Sequence, residues 1–341
     1  MYQNEKKIIS LFYYWLNITL VLVFFIIIVG GLTRLTNSGL SITEWELFKG
    51  IMPPLSQKSW DEYFDLYKQI PQYKLLNFDM SLNEFKIIFY WEYFHRILAR
   101  FIGLFFLIPL VYFYFSRKIK KSHMNICFLI FSLIVFQGVV GWYMVKSGLI
   151  NDVTVSHYRL SIHLITAILI ISMIYWLIKN LKHNKEKIFF KISNKILPFQ
   201  ILILIIYAQI LIGAFVSGLD AGKIYQTWPL MGDNFFPNDL SAIKINNLIE
   251  FENHSLVQFY HRNLAYVLII YVFFLSIYIY RNRVLSLFKP LKLVIIVLII
   301  QAMLGISTLV SGLNIYLASA HQITSVLLVF SALNLYYFRS K

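Results

Sequence analysis

The chain has 341 residues, 59% of them hydrophobic and 14% charged, where an ordinary soluble domain has about 45–50% and about 25%. This composition excludes a water-soluble globular protein, and one cysteine, Cys127, excludes an intrachain disulfide or a thiolate-built metal site. The net charge of +15 would point to nucleic acid in a soluble protein, but its distribution gives it another meaning here.

Apolar runs near 20 residues mark membrane spans. Eight are predicted, at 11–33, 86–115, 124–144, 158–178, 197–217, 257–280, 291–311 and 318–338. The first is too long for a cleavable signal peptide, and the residues before it do not read as a transit sequence. The second exceeds the minimum and is expected to begin outside the membrane. Between them, the connection 34–85 carries Trp45, Pro53-Pro54, Trp60 and several acids, which predicts short amphipathic helices lying on the outer face. The other long connection is 219–256, and no separate soluble domain is expected.

Lys and Arg concentrate on one side. The N-terminus, 117–121, 179–195, 281–292 and the C-terminus hold 18 basic residues and two acids, whereas 34–86, 145–159 and 219–256 hold 10 basic and 13 acidic residues. The positive-inside rule then places both termini in the cytoplasm. The surplus charge is a topology signal, and no nucleic-acid partner is expected.

The chain repeats itself. Gln137/Gly141/Ser147-Gly148-Leu149, Gln209/Gly213/Ser217-Gly218-Leu219 and Gln301/Gly305/Ser311-Gly312-Leu313 share one pattern, and the first span ends with Gly30-Gly31 and Ser38-Gly39-Leu40. Tyr93-Phe94-His95-Arg96 matches Phe259-Tyr260-His261-Arg262, and the His163 segment matches that of His321. This predicts an all-α integral membrane protein of eight transmembrane helices. They form two tandem four-helix bundles, residues 1–185 and 186–341. Four spans per half insert both halves the same way up, as a pseudo-twofold along the membrane normal requires.

Of eight histidines, His123 and His183 are expected in solvated cytoplasmic loops, and His157 and His254 at the outer boundary. His95, His163, His261 and His321 fall within spans, each near the span's start and on the order of 10 Å below the outer interface. Ionisable groups at that depth are costly, and a repeat-related set of four is unlike four separate structural histidines. Two imidazoles facing across a bundle suit axial ligation of haem iron. Zinc or copper would need a third ligand, which neither half offers at ligand spacing. Arg96 and Arg262 follow their histidines and are candidates for haem propionates, with snorkelling or an ion pair to Glu92 as the plainer alternatives.

Glu92 is the one acid within a span, a turn before His95, and its counterpart is Gln258. A carboxylate beside one site only suggests proton-coupled chemistry in that half. The alternative is a structural ion pair with Arg96 at i+4.

Taken together, the ordered set Gly30-Gly31-Leu-Thr-Arg34 through Trp45 with Pro53-Pro54, Glu92-Tyr-Phe-His95-Arg96, Gly213 through Gly222, Thr227 through Gly232 and His261-Arg262 resembles the haem A synthase family over nearly the whole chain. The resemblance implies oxidation of a ring methyl of haem O to a formyl group, through hydroxymethyl and gem-diol stages, to supply haem A to cytochrome oxidase. It implies substrate haem between His95 and His163 in the N-terminal, catalytic half with Glu92 assisting, and a haem b between His261 and His321 in the C-terminal half. Some family members carry an outer-loop cysteine pair that this chain lacks, so no mechanism can use it here. The implied setting is a bacterial inner membrane, with a mitochondrial inner membrane as the alternative. Haem O synthase and oxidase assembly factors are the partners in view, with a homo-oligomer also compatible. The rival readings are a bis-histidine cytochrome b-like carrier, a two-repeat transporter and a haem farnesyltransferase. The Glu92/Gln258 asymmetry argues against the first. Histidines near the interface rather than the midplane argue against the second, and the lack of aspartate-rich motifs against the third.

Overall fold

A computed structural model describes residues 2–44, 49–151, 153–191, 193–240 and 248–340; Trp45 lies outside these. Among the described residues eight helices are long and apolar enough to cross a membrane, and the only β pairing is an isolated bridge between Met231 and Asn234. The long helices are α1 (Tyr2–Leu35), α4 (Leu82–Ser116), α5 (Lys121–Asn151), α6 (His157–Lys182), α7 (Leu197–Gly218), α8 (His254–Arg281), α9 (Phe288–Val310) and α10 (Ile315–Arg339). Between α1 and α4 lie two short helices, α2 (Gln57–Lys68) and α3 (Pro71–Leu76), where amphipathic segments are predicted.

The helix starts follow ordinary capping chemistry. Ser81 and Glu84 form a reciprocal capping box at α4, while Asn253 and Asn314 cap α8 and α10 through their side-chain oxygens. With 35 residues, α4 is about 52 Å long at 1.5 Å per residue, well beyond the roughly 30 Å hydrocarbon layer. Its first turns bury Phe85, Ile88 and Phe89 against Trp60, Phe64 and Tyr67 of α2 and against Leu40 and Ile42 of the connection after α1. The spacing i, i+4, i+7 puts the three α2 residues on one face, so this cluster forms an apolar cap over the N-terminal end of α4.

The chain divides into two compact units, Met1–Ile171 and Ser172–Lys341. The division falls inside α6, ahead of the 185/186 boundary expected from the repeat. The physical reason lies in the last turns of α6. Trp176 packs against Tyr336 and Tyr337 at ring-centre distances of 4.9 and 5.0 Å. The Trp176 indole donates to the Lys187 carbonyl at 2.8 Å, and the Tyr207 hydroxyl donates to Ser172 at 2.6 Å.

In the second unit α7 packs on α8, α8 on α9, α9 on α10 and α10 on α7, a closed ring of four. In the first unit the close packing is α1 on α4 and α4 on α5, while α6 meets α5 through a hydrogen bond from Gln137 to the His163 carbonyl at 2.8 Å. His123 departs from expectation: it sits in the first turn of α5 and is buried, because that helix starts earlier than the apolar run suggests. His183 is exposed at the end of α6 and rests on Tyr337 and Phe338.

Candidate functional site

The four span histidines occupy the even-numbered long helices, His95 on α4, His163 on α6, His261 on α8 and His321 on α10. Each imidazole lies against a glycine of the helix before it in the repeat. A Cβ on Gly141, Gly213 or Gly305 would stand 3.1, 3.0 or 2.8 Å from Cε1 of His163, His261 or His321, and one on Gly30 would stand 3.2 Å from His95 Nε2. Three of these glycines belong to the Gln-x3-Gly pattern, and the glutamines reach the same histidines. The Gln137 amide donates to the His163 carbonyl at 2.8 Å and the Gln209 amide to the His261 carbonyl at 3.0 Å. On α9, the backbone carbonyl of Gln301 lies 3.1 Å from His321 Nδ1. The first half has no glutamine at the corresponding place on α1, where Ile26 stands.

His261 and His321 face one another with ring centres 6.5 Å apart and planes at 81°. Two imidazoles bound trans to one metal through bonds of about 2 Å put their ring centres about 6 Å apart, so this pair fits iron between two imidazole nitrogens. With Nδ1 of His321 held at a backbone carbonyl, Nε2 is the nitrogen that would be free to ligate a metal, since such a contact fixes the tautomer of a histidine. In the first unit Nδ1 of His163 is buried without a hydrogen-bond partner among the described residues. All four rings are half-buried, so each keeps surface that no protein atom covers. Among the described residues no three His, Cys, Asp or Glu side chains come together; the histidines come in pairs.

Glu92 is buried beside the first pair. One carboxylate oxygen accepts from the Ser41 hydroxyl at 2.7 Å and from the Ile42 amide at 2.9 Å, and the other from two guanidinium nitrogens of Arg96 at 2.5 and 3.1 Å. The i+4 ion pair anticipated as the plainer role of Glu92 is therefore formed, and it is charge-assisted and largely shielded from water. Arg96 also donates to the Ile42 carbonyl at 3.0 Å. With Arg100 one turn on, it lines a cleft of about 310 Å³ shared with Tyr93 and Phe89.

The second unit repeats the arrangement without the carboxylate. The Gln258 amide and the Arg262 guanidinium both donate to the Tyr225 carbonyl, at 2.8 and 2.9 Å, and Arg262 also binds the carbonyls of Thr227 and Leu230. Buried Nε of Arg262 and Oε1 of Gln258 have no partner. Sequence reasoning missed the loop anchors Ser41, Ile42 and Tyr225, because two of the three act through backbone atoms that no side chain advertises. It also missed the histidine contacts of the glycines, although their place in the repeat was a signal.

Residues 13–333 match the cytochrome oxidase assembly protein family COX15-CtaA. A curated relative named heme A synthase from Pelagibacter ubique (strain HTCC1062) is 46% identical over 333 residues, 97% of either chain. One of the same name from Agrobacterium fabrum is 41% identical over 328 residues, covering 96% of this chain and 90% of its own. A third, from Rickettsia prowazekii, is 40% identical over 316 residues, covering 92% and 94%.

Proposed function

This chain belongs to the cytochrome oxidase assembly protein family COX15-CtaA, and we propose that it is a haem A synthase. It is an oxidoreductase that converts a ring methyl of haem O to a formyl group and so supplies haem A to cytochrome oxidase. The observation that carries this reading is the pair of histidine sites on repeat-related helices, one of them alone furnished with a buried carboxylate. Relatives over almost the full length bear the corresponding name.

In this reading His95 and His163 bind the substrate, haem O, through its iron. His261 and His321 hold a haem b, whose fit rests on the 6.5 Å ring separation and which supplies one-electron redox chemistry when bound. The packing supports the division. The closed ring α7–α10 suits a resident group, whereas α6 meets α5 more sparingly, as a site that admits substrate and releases product requires.

Taking a methyl to a formyl group with oxygen from water removes four electrons, which pass to an external acceptor, and releases four protons, for which Glu92 is the acceptor beside the substrate pair. Its hydrogen bond from Ser41 gives a path by which a proton enters or leaves the carboxylate, and Arg96 keeps the emptied form charged and oriented. Arg96, at the cleft, and Arg262, with its unpartnered Nε, supply the cations for haem propionates. The topology assigned is a bacterial inner-membrane protein with both termini in the cytoplasm, next to haem O synthase and the oxidase assembly machinery.

Purified protein in detergent, given haem O and an electron acceptor, tests the activity: chromatography of the extracted haem is expected to show the hydroxymethyl and formyl derivatives. Recovery of unaltered haem O in every acceptor condition would leave a two-haem electron carrier as the better reading.

A further inference from the structure

Glycine inside a helix is about 1 kcal/mol less favourable than alanine, so a glycine kept at equivalent places of four helices calls for a contact that alanine would spoil. Gly30, Gly141, Gly213 and Gly305 each have one, and it is always a span histidine: a Cβ would meet the imidazole at 3.2, 3.1, 3.0 and 2.8 Å. Other helix glycines meet no histidine. Gly138, three residues before Gly141 on α5, and Gly103 on α4 have nothing within 4 Å of an added Cβ, and Gly148, also on α5, would meet Leu40 at 3.1 Å. The contact with a histidine therefore belongs to these four positions rather than to helix glycines in general.

The contact also differs between sites in a way that bears on ring rotation. At His163, His261 and His321 the atom nearest the glycine is Cε1, with Nδ1 next, whereas at His95 it is Nε2, with Cδ2 next. Three rings thus present the same edge to their glycine and the fourth is turned. His95 is also the one whose neighbouring span has Ile26 in place of the glutamine.

We infer that these four glycines are positioning residues for the histidines: each leaves the space into which its imidazole edge fits, and so sets the rotation of that ring about its Cβ–Cγ bond. The inference rests on the assignment of the histidines as iron ligands. In the C-terminal pair its consequence is the 81° angle between ring planes, since neither ring can turn toward the other while its edge is seated against Gly213 or Gly305. An alanine at Gly305 forces His321 to move, because 2.8 Å is closer than non-bonded carbon atoms approach.

The electron paramagnetic resonance of low-spin ferric iron between two imidazoles depends on the angle between the ring planes, and it reads ligand geometry without reference to turnover. Wild-type holoprotein is expected to give a strongly anisotropic low-spin signal from near-perpendicular rings. Gly305→Ala and Gly213→Ala are expected to shift its largest g value, while Gly138→Ala and Gly103→Ala leave it in place. If Gly305→Ala does not accumulate in membranes, Gly213→Ala carries the test with the same readout. An unchanged signal in the histidine-facing variants, or an equal shift in the two controls, overturns the positioning role while leaving the ligand assignment intact. A wild-type protein loaded with haem but lacking any low-spin signal overturns the ligand assignment, and the inference with it.

Discussion

Glu92 and Gln258 stand at one place in the two halves, a turn before a histidine, and each ties its helix to the outer connection beside it. The carboxylate does so by accepting from Ser41 and Ile42, the amide by donating to Tyr225. A glutamine is therefore already tolerated at this place, and Glu92→Gln is the substitution that separates chemistry from scaffolding. The variant is expected to keep its bound haem, because the amide oxygen still accepts from Ser41 and Ile42, and to lose formation of the formyl product. Haem content by absorbance and product by chromatography check both halves of the statement; normal product formation would reduce Glu92 to an ion-pair anchor for Arg96. That ion pair was visible in the spacing of Glu92 and Arg96, since i and i+4 are neighbours on any helix. The Ser41 and Ile42 contacts were not, because a partner fifty residues away in an outer connection leaves no periodic mark.

At the scale of elements, the cap over the start of α4 depends on polar contacts inside an apolar cluster. Tyr67 is fully buried on α2; its hydroxyl donates to Gln72 at 3.0 Å and accepts from Asn77 at 2.7 Å. Gln72 in turn reaches the Asn37 carbonyl at the end of α1 at 3.3 Å. Replacing Tyr67 with Phe strands both amides and is expected to cost the cap about 1–3 kcal/mol, seen as faster proteolysis of the 49–81 segment with the spans intact. Burial pushes the Tyr67 hydroxyl from its ordinary value of 10 up to about 12. The folded cap thus favours the neutral form, so its contribution is complete below pH 10 and is lost as pH rises through about 12. Tyr67→Phe should remove that alkaline sensitivity. The helices themselves were legible from their apolar runs, which the structure extends by a few residues at most ends through caps such as Ser81 and Asn314. How far each helix is rotated about its axis was not legible. The spans are apolar nearly all round, so no hydrophobic face announces which glycine meets which histidine.

For the whole molecule, the duplication of histidines, glycines and Ser-Gly-Leu turns gave the eight-helix architecture, and the matched family gives it a chemical setting. The contact division at 171/172 and the repeat boundary at 185/186 describe different things. A repeat in sequence marks where homologous segments begin, whereas Trp176, Asn180 and Ser172 of α6 take partners in the second unit, such as the Lys187 carbonyl and Tyr207. The charge asymmetry of the connections predicts that a periplasm-dependent reporter fused after Lys341 is silent and a cytoplasm-dependent one active; the reverse would invert the topology and move the histidine pairs to the inner side. The central claim is that the two halves divide the labour, one pair of histidines binding the haem that is altered and the other a haem that is kept. It is tested most directly by typing the haems extracted from membranes that make this chain together with a source of haem O, in wild type and in the His95→Ala and His261→Ala variants. The account predicts haem A or its hydroxymethyl precursor together with haem B in wild type, loss of the altered haem with haem B retained in His95→Ala, and loss of haem B in His261→Ala. Haem B alone in wild type, at two per chain, would contradict it.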